Sequence, residues 1–207
     1  MAYLLPTDYE NYGLPAGTTP DWVTAATALI NSFCRRPDLN VTQYQERLRM
    51  VSGTQRVRLS YLPLAPLGTA TSPLVAMEGK YGQPRRGEVV AVPMLEAALA
   101  FSLPGQWTAI DPTVVDYAAD TGELTLPWNV MGLPYNEVMV TYTAGLLVIG
   151  DDVKSACAQI LRNAQAQPAL NTSMTKMDTM QMRYFSSSLL DETVQALLRP
   201  YVASRMG

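Results

Sequence analysis

Apolar residues recur at helical spacing in three places along the chain and alternate with polar ones in between. Trp22, Ala26, Leu29, Ile30 and Phe33 form the first stripe. Thr19 as N-cap, Pro20 at the first helical position and Asp21 in the first turn give it a start, and Pro37 ends the run. Val153, Ala156, Cys157, Ile160, Leu161 and Ala164 form the second stripe, with Asp151 or Asp152 able to cap it. This is the natural partner for the first. A last helix is predicted from Ser188, with Asp191 and Glu192 in its first turn and Val194, Leu197, Leu198, Tyr201 and Val202 as its stripe. Arg199 and Arg205 favour its negative end, and Pro200 should bend it.

Period-two alternation dominates the middle. Residues 43–62 read as a β-hairpin turning at Val51-Ser52-Gly53-Thr54, with Arg47, Arg49, Arg56 and Arg58 on one face. Residues 63–87 are rich in Pro, Gly and Thr and read as a long connection or an exposed β loop. Short strands follow at 89–92, 107–110, 114–117 and 123–126, and Met94 to Phe101 fits a helical turn or a strand equally. The run Glu137-Val138-Met139-Val140-Thr141-Tyr142-Thr143-Ala144-Gly145 is the strongest strand, rich in β-branched and aromatic residues and stopped by glycine. Turns of this size between strands point to a small antiparallel sandwich or barrel-like unit.

The expected fold is therefore α+β: a small helical bundle formed by the N- and C-terminal segments (1–42 and 146–207), with an antiparallel β domain (43–145) inserted and extended arms attached. Residues 1–18 read as an irregular lead-in carrying Tyr3, Tyr9 and Tyr12, which either pack back on the chain or contact a neighbour. Met174 to Tyr184 alternates with methionine as its apolar content, which suits an extended arm laid adaptably across another subunit, with a loose core strand as the alternative.

Composition narrows the chemistry. The chain has 207 residues, 48 % of them hydrophobic, enough for a real core, and a formal charge of −3 that gives no general attraction to nucleic acid or acidic membranes. All fifteen Lys and Arg lie at or before Arg86 or at or after Lys154, so the segment between carries only acidic charge. Nearby carboxylates answering the four arginines, or contact of that face with a partner, are both open. Cys34 and Cys157 fall on apolar helix faces and read as buried free thiols suited to a reducing compartment. No signal peptide and no membrane span is evident. Histidine is absent, and so are a Gly-rich phosphate loop, closely spaced cysteines and a nucleophile elbow. Asp151/Asp152 and Asp191/Glu192 stand at helix starts, where capping explains them. No enzyme activity, metal or cofactor is expected.

What remains suits a building block whose interfaces are its function. The candidates for contact are Tyr9, Tyr12, Arg47, Arg49, Arg56, Arg58, Met177, Met180, Met182, Tyr184, Leu198 and Tyr201. Several segments also resemble the head–tail connector, or neck adaptor, proteins of tailed bacteriophages: Cys34-Arg35, Tyr44-Gln45-Glu46-Arg47-Leu48-Arg49, Tyr142-Thr143-Ala144-Gly145, Val153-Lys154-Ser155-Ala156 and Leu197-Leu198-Arg199-Pro200-Tyr201. The usual proline before the Val-Lys helix is replaced by Ile149-Gly150-Asp151-Asp152. The resemblance implies a virion protein made in the host cytoplasm. It would form a homo-oligomeric ring, typically of twelve copies, docked on the portal protein, followed by tail or stopper proteins, and passing double-stranded DNA without reading its sequence. In such a ring the acidic 87–153 segment would line or neighbour the passage. Deleting residues 174–207 would remove ring attachment and leave the β unit soluble. A tail-completion or stopper ring is the nearest alternative. From another class stands a β-domain module binding carbohydrate or protein through Trp107, Trp128 and nearby tyrosines.

Overall fold

The computed structural model describes residues 2–50, 54–81, 105–127, 135–166, 174–177, 180–183 and 189–203. They form an α+β protein of two units: both ends of the chain, Met1–Leu39 and Val148–Ala203, build a helical unit, and Asn40–Leu147 builds an antiparallel β unit inserted between them.

The helical unit holds α1 (Pro20–Cys34), α2 (Asp151–Ala166) and α3 (Glu192–Leu198), and both α1 and α3 pack on α2. On α1 the buried face is Val23, Ala26, Thr27, Ile30 and Cys34. That is rotated from the expected stripe, because Trp22 stands 49 % exposed and Leu29 and Phe33 are only partly covered. Thr19 has the extended backbone of an N-cap, yet its hydroxyl bonds nothing there; the Trp22 N–H instead reaches the Thr19 carbonyl at 3.2 Å. At the other end Arg35 takes the left-handed conformation with φ +55°, and the Arg36 N–H closes on the Asn31 carbonyl at 3.0 Å, so helix termination precedes Pro37. α3 begins later than predicted: Asp191 is its N-cap, accepting from the Val194 N–H at 2.7 Å and from Asn163 at 3.1 Å. Pro200 converts the end of the helix into the 3₁₀ turn Arg199–Tyr201.

The irregular lead-in is tied down. Tyr3 and Leu4 are buried, and the Tyr3 hydroxyl accepts the Leu39 N–H at 2.7 Å while facing Asn31 and Asp38. Two 3₁₀ turns, Pro6–Asp8 and Glu10–Tyr12, follow it. Cys34 and Cys157 are buried free thiols, and burial pushes both thiol pKa values up, to about 11 and about 12.

The β unit has two sheets around one apolar core. The first contains β1 (Thr42–Arg49), β3 (Leu74–Tyr81), β4 (Trp107–Ile110) and β7 (Tyr135–Ala144) in the order β1-β7-β3-β4. The second contains β2 (Arg56–Arg58), β5 (Asp116–Tyr117) and β6 (Glu123–Thr125) in the order β2-β6-β5. Two expectations are corrected here. Residues 43–62 are not a hairpin, since β1 pairs along its whole length with β7 while β2 pairs with β6 in the other sheet. Local alternation was the only signal for that pairing, and it says which face a residue takes, not which strand lies beside it. The 63–87 connection also contains β3, a central strand. Its inward positions Met77, Gly79 and Tyr81 disguise it, because a core glycine reads as a loop residue. The predicted strand at 89–92 and the ambiguous 94–101 lie outside the described residues.

Gly79 is needed where it stands. A Cβ there would lie 2.5 Å from the Tyr135 ring and 2.9 Å from Ile110, breaking the Tyr81–Tyr135 stack, whose centroids are 4.7 Å apart and whose hydroxyls meet at 3.1 Å. Gly79→Ala is expected to destabilise the β unit by about 1–3 kcal/mol, read as a lower urea midpoint.

The last strands, β8 (Met174–Met177) and β9 (Met180–Arg183), replace the expected extended arm with a two-stranded hairpin. Its register sets Met177 opposite Met180 and Thr175 opposite Met182. Tyr184 lies outside the described residues.

Candidate functional site

The outer face of the four-stranded sheet collects the chain's most distinctive side chains. Cross-strand register aligns Arg49, Glu137, Lys80 and Trp107 in one row from β1 to β4, and Arg47, Met139, Glu78 and Ala109 in the next. Each strand supplies its polar phase to this face because the other phase is in the core: Tyr44 on β1, Val138 and Val140 on β7, Met77 on β3 and Ile110 on β4. The Arg47 guanidinium lies 5.5 Å and the Lys80 ammonium 5.7 Å from the centre of the Trp107 ring. Arg47 also donates to the Glu137 carboxylate, with Nε at 3.0 Å. That hydrogen bond, with Lys80 and Arg49 nearby, holds the Glu137 pKa below the usual carboxylate range. Salt bridges and cation–π contacts at this exposure contribute about 0–1 kcal/mol each, so the cluster orders a surface more than it stabilises the fold.

The four arginines do not share one face. Arg47 and Arg49 belong to this sheet; Arg56 and Arg58 project from the second. All four are exposed, and the acidic segment answers part of them: Glu137 on Arg47, and Glu123 on Arg56 at 3.1 Å. Arg58 donates to the Thr121 carbonyl at 3.0 Å. Glu123 and Glu137 neutralise arginines of their own unit, Asp151 and Asp152 belong to α2, and Asp111, Asp116 and Asp120 are the exposed acids described in between.

Tyr9, Tyr12, Leu198 and Tyr201 all belong to the helical unit, Tyr12 and Tyr201 being partly covered. Tyr9 and Leu198 are buried. Tyr12 donates to Asp151 at 2.6 Å and Tyr201 donates to Asp152, which also accepts the Val153 N–H at 2.9 Å, so the two aspartates opening α2 are acceptors for tyrosines from distant parts of the chain and Asp152 in addition takes up a first-turn N–H. Beside them Lys154 pairs with Asp8 at 3.1 Å, and the Ala203 N–H meets the Cys34 carbonyl at 3.0 Å. The Asp151 bond lifts the Tyr12 pKa to about 12, and burial followed by the Asp152 bond lifts Tyr201 to about 12. A raised tyrosine pKa favours the neutral form in the folded state. The stability this contributes is whole below the unfolded value of about 10 and lost as pH climbs through about 12. Alkaline titration followed by circular dichroism should show the helical signal failing in that window, and a Tyr12→Phe/Tyr201→Phe variant should weaken the dependence without removing it, because Cys34 and Cys157 in the same unit also have raised pKa values.

Sequence reasoning missed Lys80, Glu137 and Met139 as surface neighbours of Arg47. Once β3 is recognised, alternation places Lys80, between the buried Gly79 and Tyr81, on the outer face. Trp107, which a binding platform would need open, is partly covered and flanked by two cations; Trp128 lies outside the described residues. Among the described residues no group of acidic or cysteine side chains is placed to hold a metal, and no helix is long and apolar enough to cross a membrane. No protein-family model matches the chain, and no curated protein matches it either.

Proposed function

We propose that this chain is a structural virion protein that forms a ring adaptor between portal and tail of a tailed bacteriophage, extending the DNA channel and performing no reaction of its own. The observation that carries the reading is where the connector-like segments fall. Cys34-Arg35 closes α1, the Cys34 carbonyl receiving the Ala203 N–H; Val153-Lys154 opens α2; Leu197 to Tyr201 ends α3 and returns a hydroxyl to Asp152; Tyr142 to Gly145 ends the strand that leads out of the β unit. Segments far apart in sequence thus meet in one helical unit made from both ends of the chain, with the β unit inserted in the sequence between them. A helical unit closed in this way is suited to fixed attachment, and the β unit offers surfaces to neighbours. The partners on this reading are further copies of the chain, the portal protein, tail or stopper proteins, and DNA held without sequence recognition.

Removing residues 174–207 no longer serves as a test of attachment, because it would take Val194, Leu198 and Ala203 out of the helical core. Imaging of intact particles is the test. Density for this chain as a ring at the capsid–tail junction is the expected result, and particles without it there would overturn the reading.

A further inference from the structure

We propose that the outer face of the four-stranded sheet receives the exposed acidic stretch 114–120 of a second copy of this chain, front to back. This rests on the ring reading above and names the surfaces that would join its subunits. Among the described residues, the receiving face presents Arg47, Arg49 and Lys80 around the half-covered Trp107, with Glu78 and Glu137 as its acids. The donating stretch carries Asp116 and Asp120 on its surface, with Val114 57 % exposed and Tyr117, in register with the buried Leu124, 36 % exposed at the sheet edge; no cation lies within it, and Arg58 donates to the Thr121 carbonyl just beyond it. Each side therefore pairs apolar area with charge, and the charges are opposite.

Topology decides the kind of contact. The receiving face points away from the core of the β unit on one sheet, while Asp116 and Tyr117 form β5 at the edge of the other sheet across that core. One neighbour cannot engage both surfaces, so the contact is heterologous and leaves a free donor and a free acceptor on every pair. Repeated with a closing rotation, that geometry makes a ring. The cation–π arrangement of Arg47 and Lys80 on Trp107 holds the receiving side in place before the neighbour arrives.

Charge exchange in the full chain tests this, with circular dichroism as the check that each variant is folded. Arg49→Glu/Lys80→Glu should abolish self-association in analytical ultracentrifugation, because acidic face then meets acidic stretch. Asp116→Lys/Asp120→Lys should abolish it from the other side. Mixed in equal amounts the two variants should assemble again, since each face then meets a stretch of opposite sign. Assembly of either folded variant alone as well as the wild type, failure of the mixture to assemble, or a wild-type chain monomeric at its highest soluble concentration would each overturn the proposal. The functional reading fails separately, by absence of the chain from the capsid–tail junction.

Discussion

Gly145→Ala is expected to cost the β unit about 4 kcal/mol or more, at the extreme of single substitutions and a large share of the roughly 5–15 kcal/mol available to a folded domain. Two effects add at this position. Gly145 has φ +142°, where an L side chain is strained by about 1–3 kcal/mol. A Cβ there would also stand 2.5 Å from the Asn40 carbonyl carbon and 2.7 Å from the Val41 nitrogen, nearer still to the Asn40 oxygen. All of these are backbone atoms, and neither strand can retreat. The Gly145 N–H is bonded to the Pro63 carbonyl at 2.9 Å, Asn40 and Leu146 form a parallel bridge, and Thr42 is already in register with Ala144. Urea unfolding should show a sharply lower midpoint or no folded β unit at all. Gly17→Ala is the control: nothing lies within 4 Å of the Cβ it would add, so a change within about 0.5 kcal/mol is expected. Equal effects at the two glycines would show that the close approach to Asn40 is not what requires glycine at 145.

The contrast between these glycines shows how far the sequence could be read. That β7 ends at Gly145 was legible from composition, because β-branched and aromatic residues run up to it and stop. That the stop is enforced by Asn40, more than a hundred positions earlier, was not, since no local pattern carries a long-range backbone approach. The same limit explains β1 and β2. Alternation correctly turned Tyr44 and Val57 inward and the arginines outward, but the pairing partners Tyr142 and Leu124 lie far along the chain. The helical stripes were legible within a small rotation, and the error at Trp22 has a physical cause: Ala26, Thr27 and Ile30 fit the close approach to α2, leaving the bulky indole at the margin. On the candidate face, Arg47 and Arg49 could be found by their charge. Lys80 and Glu137 could be joined to them only through a register that β3 and β7 supply.

Leu198 tests whether the last helix serves its own chain first. It was a contact candidate on sequence, yet in the structure it is 0 % exposed, in the core of the helical unit with Val194, Ile160 and Leu161. Truncating a buried leucine removes its transfer free energy and leaves a cavity, together about 2–5 kcal/mol. Leu198→Ala should therefore lower the stability of the isolated chain by that amount, measured by far-UV circular dichroism in urea, and the loss should not depend on protein concentration. A residue buried only between copies would behave otherwise, leaving the dilute chain unchanged and shifting assembly alone. Trp22→Ala supplies the opposite case, because the indole is half exposed and should matter little to the dilute chain despite its size. If Leu198→Ala were silent in dilute solution while Trp22→Ala unfolded the helical unit, the packing of α1 and α3 on α2 would be other than described, and Tyr201 would have no fixed base from which to reach Asp152.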